Sequence, residues 1–179
     1  MTTSPILPEF LVNEQNELNI TEFVDGLDVI PIGVAQLASN KSALYTVEPI
    51  DKDNEMFNKR QELIYFLTFN GRIVKIGGTS TGFKSRIGSY YCGTRANRER
   101  GTCSTTNYHV SEAIYAALVE NKEVRFYAYF VPPVTKIVDV LGMKKEIPCL
   151  TWQAYEDRFL SIYKDTNHTY PPLSKNTSK

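Results

Sequence analysis

The sequence predicts an α+β fold in which a small antiparallel sheet is flanked by helices. Residues 63–69 and 72–76 have strand-like composition and are joined by Asn70-Gly71, which predicts a tight hairpin. Residues 123–131 alternate apolar and polar side chains, which predicts a further strand. Residues 151–163 carry apolar side chains at helical spacing. Strands and helices are therefore both expected in the core.

The hairpin has the strongest local signal of any element. Residues 63–69 (LIYFLTF) are apolar, β-branched or aromatic, as is typical of a buried strand. Asn70 and Gly71 both accept the positive φ that a type I′ turn requires. Residues 72–76 return as the second strand, and Gly77-Gly78 is predicted to end it.

The segment 83–91 is predicted to be a helix that follows this hairpin. Phe83, Ile87 and Tyr90 are spaced by four and three residues. Arg86 and Tyr90 lie four residues apart and should share one helix face.

Shorter signals predict the remaining elements. Arg95 to Thr105 is expected to be a loop. Ser111 is expected to cap a helix that ends near Asn121, and residues 135–148 are expected to form a second hairpin about Gly142.

The predicted organisation is an N-terminal, mainly helical accessory region (1–60), a core (61–165) and a disordered tail (166–179). A chain of 179 residues is about one domain long.

Composition narrows the class of protein. No run reaches the eighteen apolar residues of a membrane span, and no leader-like segment is expected at the start. Three cysteines without a close metal-ligand pair predict reduced thiols in a cytoplasmic protein. With only two histidines, the sequence argues against a zinc site or a histidine-based triad.

The formal net charge is zero, but the charges are unevenly distributed along the chain. Residues 1–62 hold eleven acidic and four basic residues, whereas residues 71–101 hold seven basic residues and one acidic residue. Residues 102–179 are nearly balanced, with nine basic and eight acidic residues. The positive segment indicates a surface for a polyanion.

The hairpin and the following helix present Tyr65, Lys75, Arg86 and Tyr90. A guanidinium fork, an ammonium group and two phenols are suited to binding phosphate oxygens. The same residues also fit a simpler interpretation, with core tyrosines and solvated charges on a half-buried hairpin. Spacing alone favours that simpler interpretation.

The motifs in this region resemble the GIY-YIG nuclease family, and specifically its small type II restriction endonuclease branch. Leu63-Ile64-Tyr65 stands at the first tripeptide and Lys75-Ile76-Gly77 at the second, with Leu in place of the first Gly and Lys in place of the second Tyr. That Lys is typical of the restriction branch. Further matches are Lys84-Ser85-Arg86, Ser89-Tyr90-Tyr91-Cys92-Gly93 and residues 101–108 (GTCSTTNY). The resemblance covers residues 62–163.

The resemblance implies an endonuclease that hydrolyses phosphodiester bonds in double-stranded DNA. It assigns Glu156, on the late helix predicted after Thr151 as N-cap, as the ligand of a Mg²⁺ ion that Mn²⁺ could replace. Asp157 is the alternative acid and is expected to face water. Tyr65 and Lys75 would flank the attacking water, and either could take its proton. Arg86 would grip the phosphate, and Tyr90 would position the phosphate or the water.

The branch also implies a homodimer on a palindromic or near-palindromic site. A nicking monomer of the phage, homing or repair type is an alternative, and a non-catalytic DNA-binding module is another. Glu156 argues against the last, because DNA binding alone does not require it. The residues expected to contact DNA outside the reacting centre are Lys84, Arg95, Arg98, Arg100 and Asn107.

Overall fold

The computed structural model describes residues 10–39, 43–50 and 55–177. Its strands are β1 (Val29–Leu37), β2 (Tyr45–Pro49), β3 (Leu63–Phe69), β4 (Arg72–Thr79), β5 (Val124–Phe130), β6 (Val134–Val140) and β7 (Met143–Cys149). Its helices are α1 (Ile20–Phe23), α2 (Glu55–Asn58), α3 (Phe83–Gly88), α4 (Arg95–Glu99), α5 (Thr105–Val119) and α6 (Trp152–Asn167), followed by a 3-10 helix at Pro172–Thr177. The predicted α+β class is confirmed.

Five strands form one antiparallel sheet in the order β2-β1-β5-β3-β4, while β6 and β7 form a separate hairpin. Every residue of β3 is buried, because both faces of this strand are covered. One face packs against side chains of α3 and α5, and the other packs against Phe159, Leu160 and Tyr163 of α6. The strand β4 lies at the edge of the sheet, between these two helical layers.

The predicted central hairpin is confirmed, with one difference. Asn70 and Gly71 have φ values of 49° and 77°, as the two-residue turn requires. Gly77 and Gly78 do not end the second strand, however, because β4 continues through both to Thr79.

The prediction of a mainly helical accessory region at residues 1–60 is wrong for the described residues. The strands β1 and β2 belong to the same sheet as the hairpin, and β1 pairs with β5. The register shift between Pro31 and Gly33 accommodates a proline in an internal strand. One sheet therefore contains strands from both sides of the predicted boundary near residue 60.

Two helix starts also differ from the prediction. The loop expected at 95–105 contains the short helix α4, which the Thr94 side chain caps by accepting from the Asn97 amide. Ser111 lies buried within α5, and the cap of that helix is Ser104, whose side chain accepts from the Asn107 amide. Both Ser104 and Ser111 have the residue type of an N-cap, and sequence alone did not distinguish them.

The chain after residue 165 was predicted to be disordered, and this is wrong for the residues up to Thr177. Asn167 ends α6, and the 3-10 helix then packs on β4. The Ser174 hydroxyl accepts from the Ile76 amide and donates to the Ile76 carbonyl, each at 3.0 Å. One side chain thus replaces a neighbouring strand at the exposed edge of β4.

We predict that Ser174→Ala lowers the free energy of unfolding by about 1–3 kcal/mol, because the variant leaves the Ile76 amide and carbonyl without these partners in a buried position. Urea unfolding measures the change. Ser161→Ala, at an exposed position of α6, is the matched control and should be close to neutral. Equal stability of the two variants would contradict the role of Ser174.

Candidate functional site

Two phenols and a guanidinium form one hydrogen-bonded unit between β3 and the end of α3. The hydroxyl oxygens of Tyr65 and Tyr90 lie 2.5 Å apart, and both side chains are fully buried. Arg86 Nε donates to the Tyr65 oxygen and Nη2 donates to the Tyr90 oxygen, each at 3.2 Å. Nη1 donates to the Ser89 hydroxyl at 3.3 Å. The unit is rigid, because each member holds the others.

The surroundings of Tyr90 and of Arg86 determine the protonation of these two groups. Burial raises the pKa of Tyr90 well above its ordinary value, and the neighbouring Tyr65 oxygen adds to the rise, so Tyr90 stays a neutral hydroxyl. Burial acts to lower the pKa of Arg86, but the oxygens of Tyr65 and Tyr90 more than offset it, and the net shift is upward. The guanidinium therefore stays charged throughout the working range of pH.

Gly77 and Gly78 leave room at the edge strand for groups from both faces of the sheet. A Cβ on Gly77 would lie 2.4 Å from the Tyr65 hydroxyl oxygen. A Cβ on Gly78 would lie 2.4 Å from Trp152 Cε3 and 3.0 Å from Glu156 Oε2. Without side chains at both positions, the tyrosine unit and α6 approach the same end of β4.

Glu156 is the carboxylate at this edge. It is half-buried on the first turns of α6 and forms a hydrogen bond with the backbone of Gly78. Burial raises its pKa above the ordinary value, although Lys75, the Gly78 hydrogen bond and Arg86 act in the opposite direction. Glu156 is thus a partly desolvated acid within electrostatic reach of two cations. Asp157, the alternative acid, is exposed as predicted.

Lys75 is buried on β4, with 4% of its surface exposed. Its ammonium group donates to the Leu173 carbonyl at 3.0 Å. The 3-10 helix therefore holds Lys75 as well as the backbone of β4. Sequence reasoning missed Leu173 and Ser174, because the composition of the C-terminal segment is that of a disordered tail.

Thr151 occupies the N-cap position of α6, but its side chain makes no capping hydrogen bond. Its hydroxyl is buried without a partner among the described residues. The backbone amide of Thr151 instead donates to the Glu62 carboxylate. This bond attaches the start of α6 to the segment that enters β3.

The donor set bears on which metal the site could hold. Within the described residues, no group of three or more His, Cys, Asp or Glu side chains is placed to form a metal cage. Glu156 offers a single hard carboxylate. This composition fits Mg²⁺, which is commonly held by one or two carboxylates together with water and substrate phosphate.

The structure separates the predicted site residues into two groups. Tyr65, Arg86 and Tyr90 are in direct contact, and Glu156 is coupled electrostatically to Arg86 and to Lys75. The predicted DNA-contacting residues lie outside this group, on the surface around α3, α4 and the start of α5. They are Lys84, Arg95, Arg98, Arg100 and Asn107.

The second group has its own local contacts. The Arg98 guanidinium lies over the Tyr108 ring at 5.6 Å. Arg100 Nη2 donates to the Asn97 side chain at 3.0 Å, and Lys84 Nζ donates to that of Asn58 at 3.0 Å. Asn107 lies in the first turn of α5, where its amide is capped.

Lys84 borders a surface cleft of about 210 Å³ that the sequence did not indicate. Two further basic residues, Lys59 and Arg60, line the same cleft. Three basic residues therefore line one cleft beside the start of α3.

The basic residues of the segment 71–101 form no close ion pair within the described part of the chain, although Glu156 lies within electrostatic reach of Lys75 and Arg86, and Glu112 within reach of Arg95. The three ion pairs found there join Lys122 to Glu14 and Glu120, and Arg125 to Glu123. None of them uses a basic residue of 71–101. In the N-terminal segment, Glu14 is buried and pairs with Lys122 at 2.7 Å, whereas Glu22, Asp25, Asp28, Glu48 and Glu55 are exposed.

No model of a known protein family and no curated protein sequence matches the chain. Among solved structures, the chain is similar to the restriction endonuclease HPY188I in complex with product DNA, with 23% identity, a TM-score of 0.61 and full coverage of both chains. It is also similar to a mutant of bacteriophage T4 EndoII, with 22% identity, a TM-score of 0.61 and coverage of 87% of this chain and 98% of that one. The chain shares the fold of both. Within the described residues, no helix is long and apolar enough to cross a membrane.

We predict that Gly78→Ala destabilises the protein by about 1–3 kcal/mol, because the new methyl group would overlap the rigid Trp152 ring and force α6 away from the edge strand. Urea unfolding gives the change. Gly88→Ala is the matched control: a Cβ there meets nothing within 4 Å, and alanine is favoured in a helix by about 0.5–1 kcal/mol. A loss of stability in Gly88→Ala but not in Gly78→Ala would refute the close approach.

We further predict that Glu156→Gln is more stable than the natural chain at neutral pH. The folded-state pKa of Glu156 is raised, so ionising this carboxyl destabilises the folded chain as pH rises above the ordinary Glu range. A neutral amide avoids that penalty. The difference in unfolding free energy should shrink as pH falls to about 4 and below, where the carboxyl is protonated in both states. Chemical denaturation across this range measures it, and a difference independent of pH would contradict the assignment.

Proposed function

We propose that the chain is a metal-dependent endonuclease that hydrolyses phosphodiester bonds in double-stranded DNA, of the GIY-YIG type and its small restriction endonuclease branch. The observation that carries the proposal is the Tyr65–Arg86–Tyr90 unit with Glu156 held within electrostatic reach at the edge of β4. A simple core packing of two tyrosines would not need a half-buried guanidinium and a half-buried carboxylate beside them.

Arg86 is suited to hold the scissile phosphate. Its hydrogen bonds to Tyr65, Tyr90 and Ser89 use three of the five N–H groups of a guanidinium, so among the described contacts two remain for phosphate oxygens. Because these bonds fix the group in advance, little reorganisation is needed when negative charge develops on the phosphate.

Tyr65 and Lys75 are the groups assigned to the attacking water. Arg86 Nε–H and the Tyr90 hydroxyl both lie at the Tyr65 oxygen, where they would stabilise negative charge. Lys75 is oriented by the Leu173 carbonyl and adds a positive charge near Glu156. Tyr90, neutral and buried, acts as a hydrogen-bond donor that orients Tyr65 or the phosphate.

Glu156 would hold Mg²⁺, with Mn²⁺ as a substitute, and the ion would polarise the phosphate and stabilise the leaving oxygen. The residues of the chain do the rest of the work. Gly78 orients the carboxylate through a backbone hydrogen bond, and the carboxylate is partly desolvated.

The charge distribution supports DNA as the substrate. The basic residues of 71–101 have no ion-pair partner among the described residues, and the cleft at Lys59, Arg60 and Lys84 extends that surface. An external polyanion would neutralise them. We assign Lys84, Arg95, Arg98, Arg100 and Asn107 to contacts outside the reacting centre.

Cleavage of both strands requires two active sites, so we propose a homodimer on a palindromic or near-palindromic site. The second candidate is a nicking endonuclease of the phage, homing or repair type. This candidate is kept because a bacteriophage protein is among the solved structures that the chain resembles. Sedimentation of the protein–DNA complex, together with sequencing of the product ends, separates the two.

The proposal predicts that the purified chain cleaves a mixed-sequence plasmid with Mg²⁺ or Mn²⁺ and not in EDTA. Glu156→Gln should abolish cleavage while DNA binding is retained, because the amide keeps the shape of the side chain but loses the charge that holds the ion. Gel-based cleavage and fluorescence-anisotropy binding measure both.

The neighbouring acid provides the matched control for this experiment. Asp157→Asn removes a carboxylate one residue away on the exposed side of α6 and should leave cleavage near the natural rate. Mg²⁺-dependent cutting by Glu156→Gln would refute the metal assignment, and undiminished cutting in EDTA would refute metal dependence altogether.

A last prediction concerns the residues outside the reacting centre. Replacing Arg95, Arg98 or Arg100 by Ala should lower the salt slope of DNA binding by about one unit if the residue contacts phosphate. If the residue instead reads a guanine, its replacement should weaken the free energy of DNA binding by about 1–3 kcal/mol at that base pair.

Titrations of cognate and scrambled duplexes at several salt concentrations distinguish these outcomes. Lys164→Ala is the control, since this lysine lies over the Tyr170 ring on α6, outside the basic segment. If all three arginine variants bound DNA as tightly as the natural chain does, the DNA-contacting surface would lie elsewhere.

A further inference from the structure

Two free thiols, one before α4 in the chain and one after it, are in contact. The sulfur atoms of Cys92 and Cys103 lie 2.9 Å apart. Cys92 follows α3, and Cys103 immediately precedes Ser104, the N-cap of α5. The residues between them, 93–102, carry Arg95, Arg98 and Arg100. The third cysteine, Cys149, ends β7 in the separate hairpin.

The backbone on both sides holds the two sulfurs in place. The Cys92 thiol donates to the Ser89 carbonyl at 2.8 Å, and a Cβ on the next residue, Gly93, would lie 2.2 Å from Ser111 Cβ. Thr102 bonds to the Asn97 carbonyl through both its amide and its hydroxyl, each at 2.9 Å. The contact between the two sulfur atoms is therefore fixed, because the chain is held in place next to each cysteine.

We propose that Cys92 and Cys103 are a modification site: low-molecular-weight disulfides such as oxidised glutathione convert them to a reversible intramolecular disulfide that closes the segment 93–102. The proposal rests on the thiol geometry alone and is independent of the proposed nuclease function.

The reaction proceeds by two thiol–disulfide exchanges. The Cys92 thiolate attacks one sulfur of oxidised glutathione, which breaks its S–S bond, forms a mixed disulfide and releases one glutathione. Cys103 then loses its proton and attacks the Cys92 sulfur, which releases the second glutathione. The two protein thiols lose two electrons and two protons, and oxidised glutathione gains them.

The surroundings of the two thiols set the order of these steps. Burial raises the pKa of Cys103 to about 11, and the adjacent Cys92 adds to the rise, so Cys103 stays a thiol at neutral pH. Cys92 is the more exposed of the two and meets the oxidant first. Because Cys103 is already in contact, the second step is intramolecular and the mixed disulfide should not accumulate.

Peptide mapping tests the proposal directly. Trypsin cuts after Arg86, Arg95, Arg100 and Lys122, which places Cys92 in the peptide 87–95 and Cys103 in the peptide 101–122. Folded protein equilibrated with oxidised glutathione, then acid-quenched, should lose two hydrogens in mass and yield these two peptides joined. Dithiothreitol should separate them again.

Three variants give the controls. Cys149→Ser should form the same link, whereas Cys92→Ser and Cys103→Ser should not. In Cys103→Ser, Cys92 should instead retain one glutathione as a stable adduct. The proposal would be overturned if the natural chain still had three alkylatable thiols after oxidation. It would also be overturned if the main product were a glutathione adduct. A urea-unfolded sample should give mixed links, which shows that the folded contact selects the pair.

Discussion

The site depends on one constraint, which is that the edge strand β4 carries two adjacent residues without side chains, Gly77 and Gly78, just before its last residue, Thr79. Tyr65 reaches the space beside Gly77, while Trp152 and Glu156 reach the space beside Gly78 from α6. In an internal strand, a neighbour would block this approach, and with larger residues the two helical layers would be held apart. The two glycines of this edge strand therefore bring groups from both faces of the sheet to the same end of β4.

An open edge also has to be protected, and here the C-terminal segment does so. Ser174 bonds both polar groups of Ile76, and Leu173 accepts from the Lys75 ammonium. The same contacts that prevent edge-to-edge pairing thus orient a buried cation. Burying Glu156 opposes folding, and the cations and the hydrogen bond around it offset only part of that cost, whereas the contacts of Arg86 more than offset the burial of its guanidinium. A site arranged in this way is stable because the rest of the sheet is well packed.

Local signals in the sequence were enough to predict the parts of the fold that form locally. Asn70-Gly71 determines its own turn, and the alternation of Val124, Phe126 and Ala128 matches their burial. The strands β1 and β2 were missed because β1 pairs with β5, about ninety residues away, and because Pro31 interrupts its pattern. The ordered C-terminal segment was missed for the same reason: Ser174 is fixed by a distant edge strand, and nothing in its own neighbourhood in sequence indicates order.

The tyrosine unit shows why residue types could suggest the chemistry of the site without defining its geometry. Spacing predicted that Arg86 and Tyr90 share a face of a helix over 83–91, but α3 ends at Gly88 and Tyr90 lies in the turn after it. Spacing also could not show that the Tyr65 hydroxyl lies at hydrogen-bonding distance from both side chains. That contact requires β3 and α3 to meet through Phe83 and Ile87 in the core, and Gly77 to leave space for the hydroxyl. Each member is held by groups whose positions the fold determines. A change far from the site that moves α3 or α6 relative to β4 would therefore disturb the charge arrangement before it unfolded the chain.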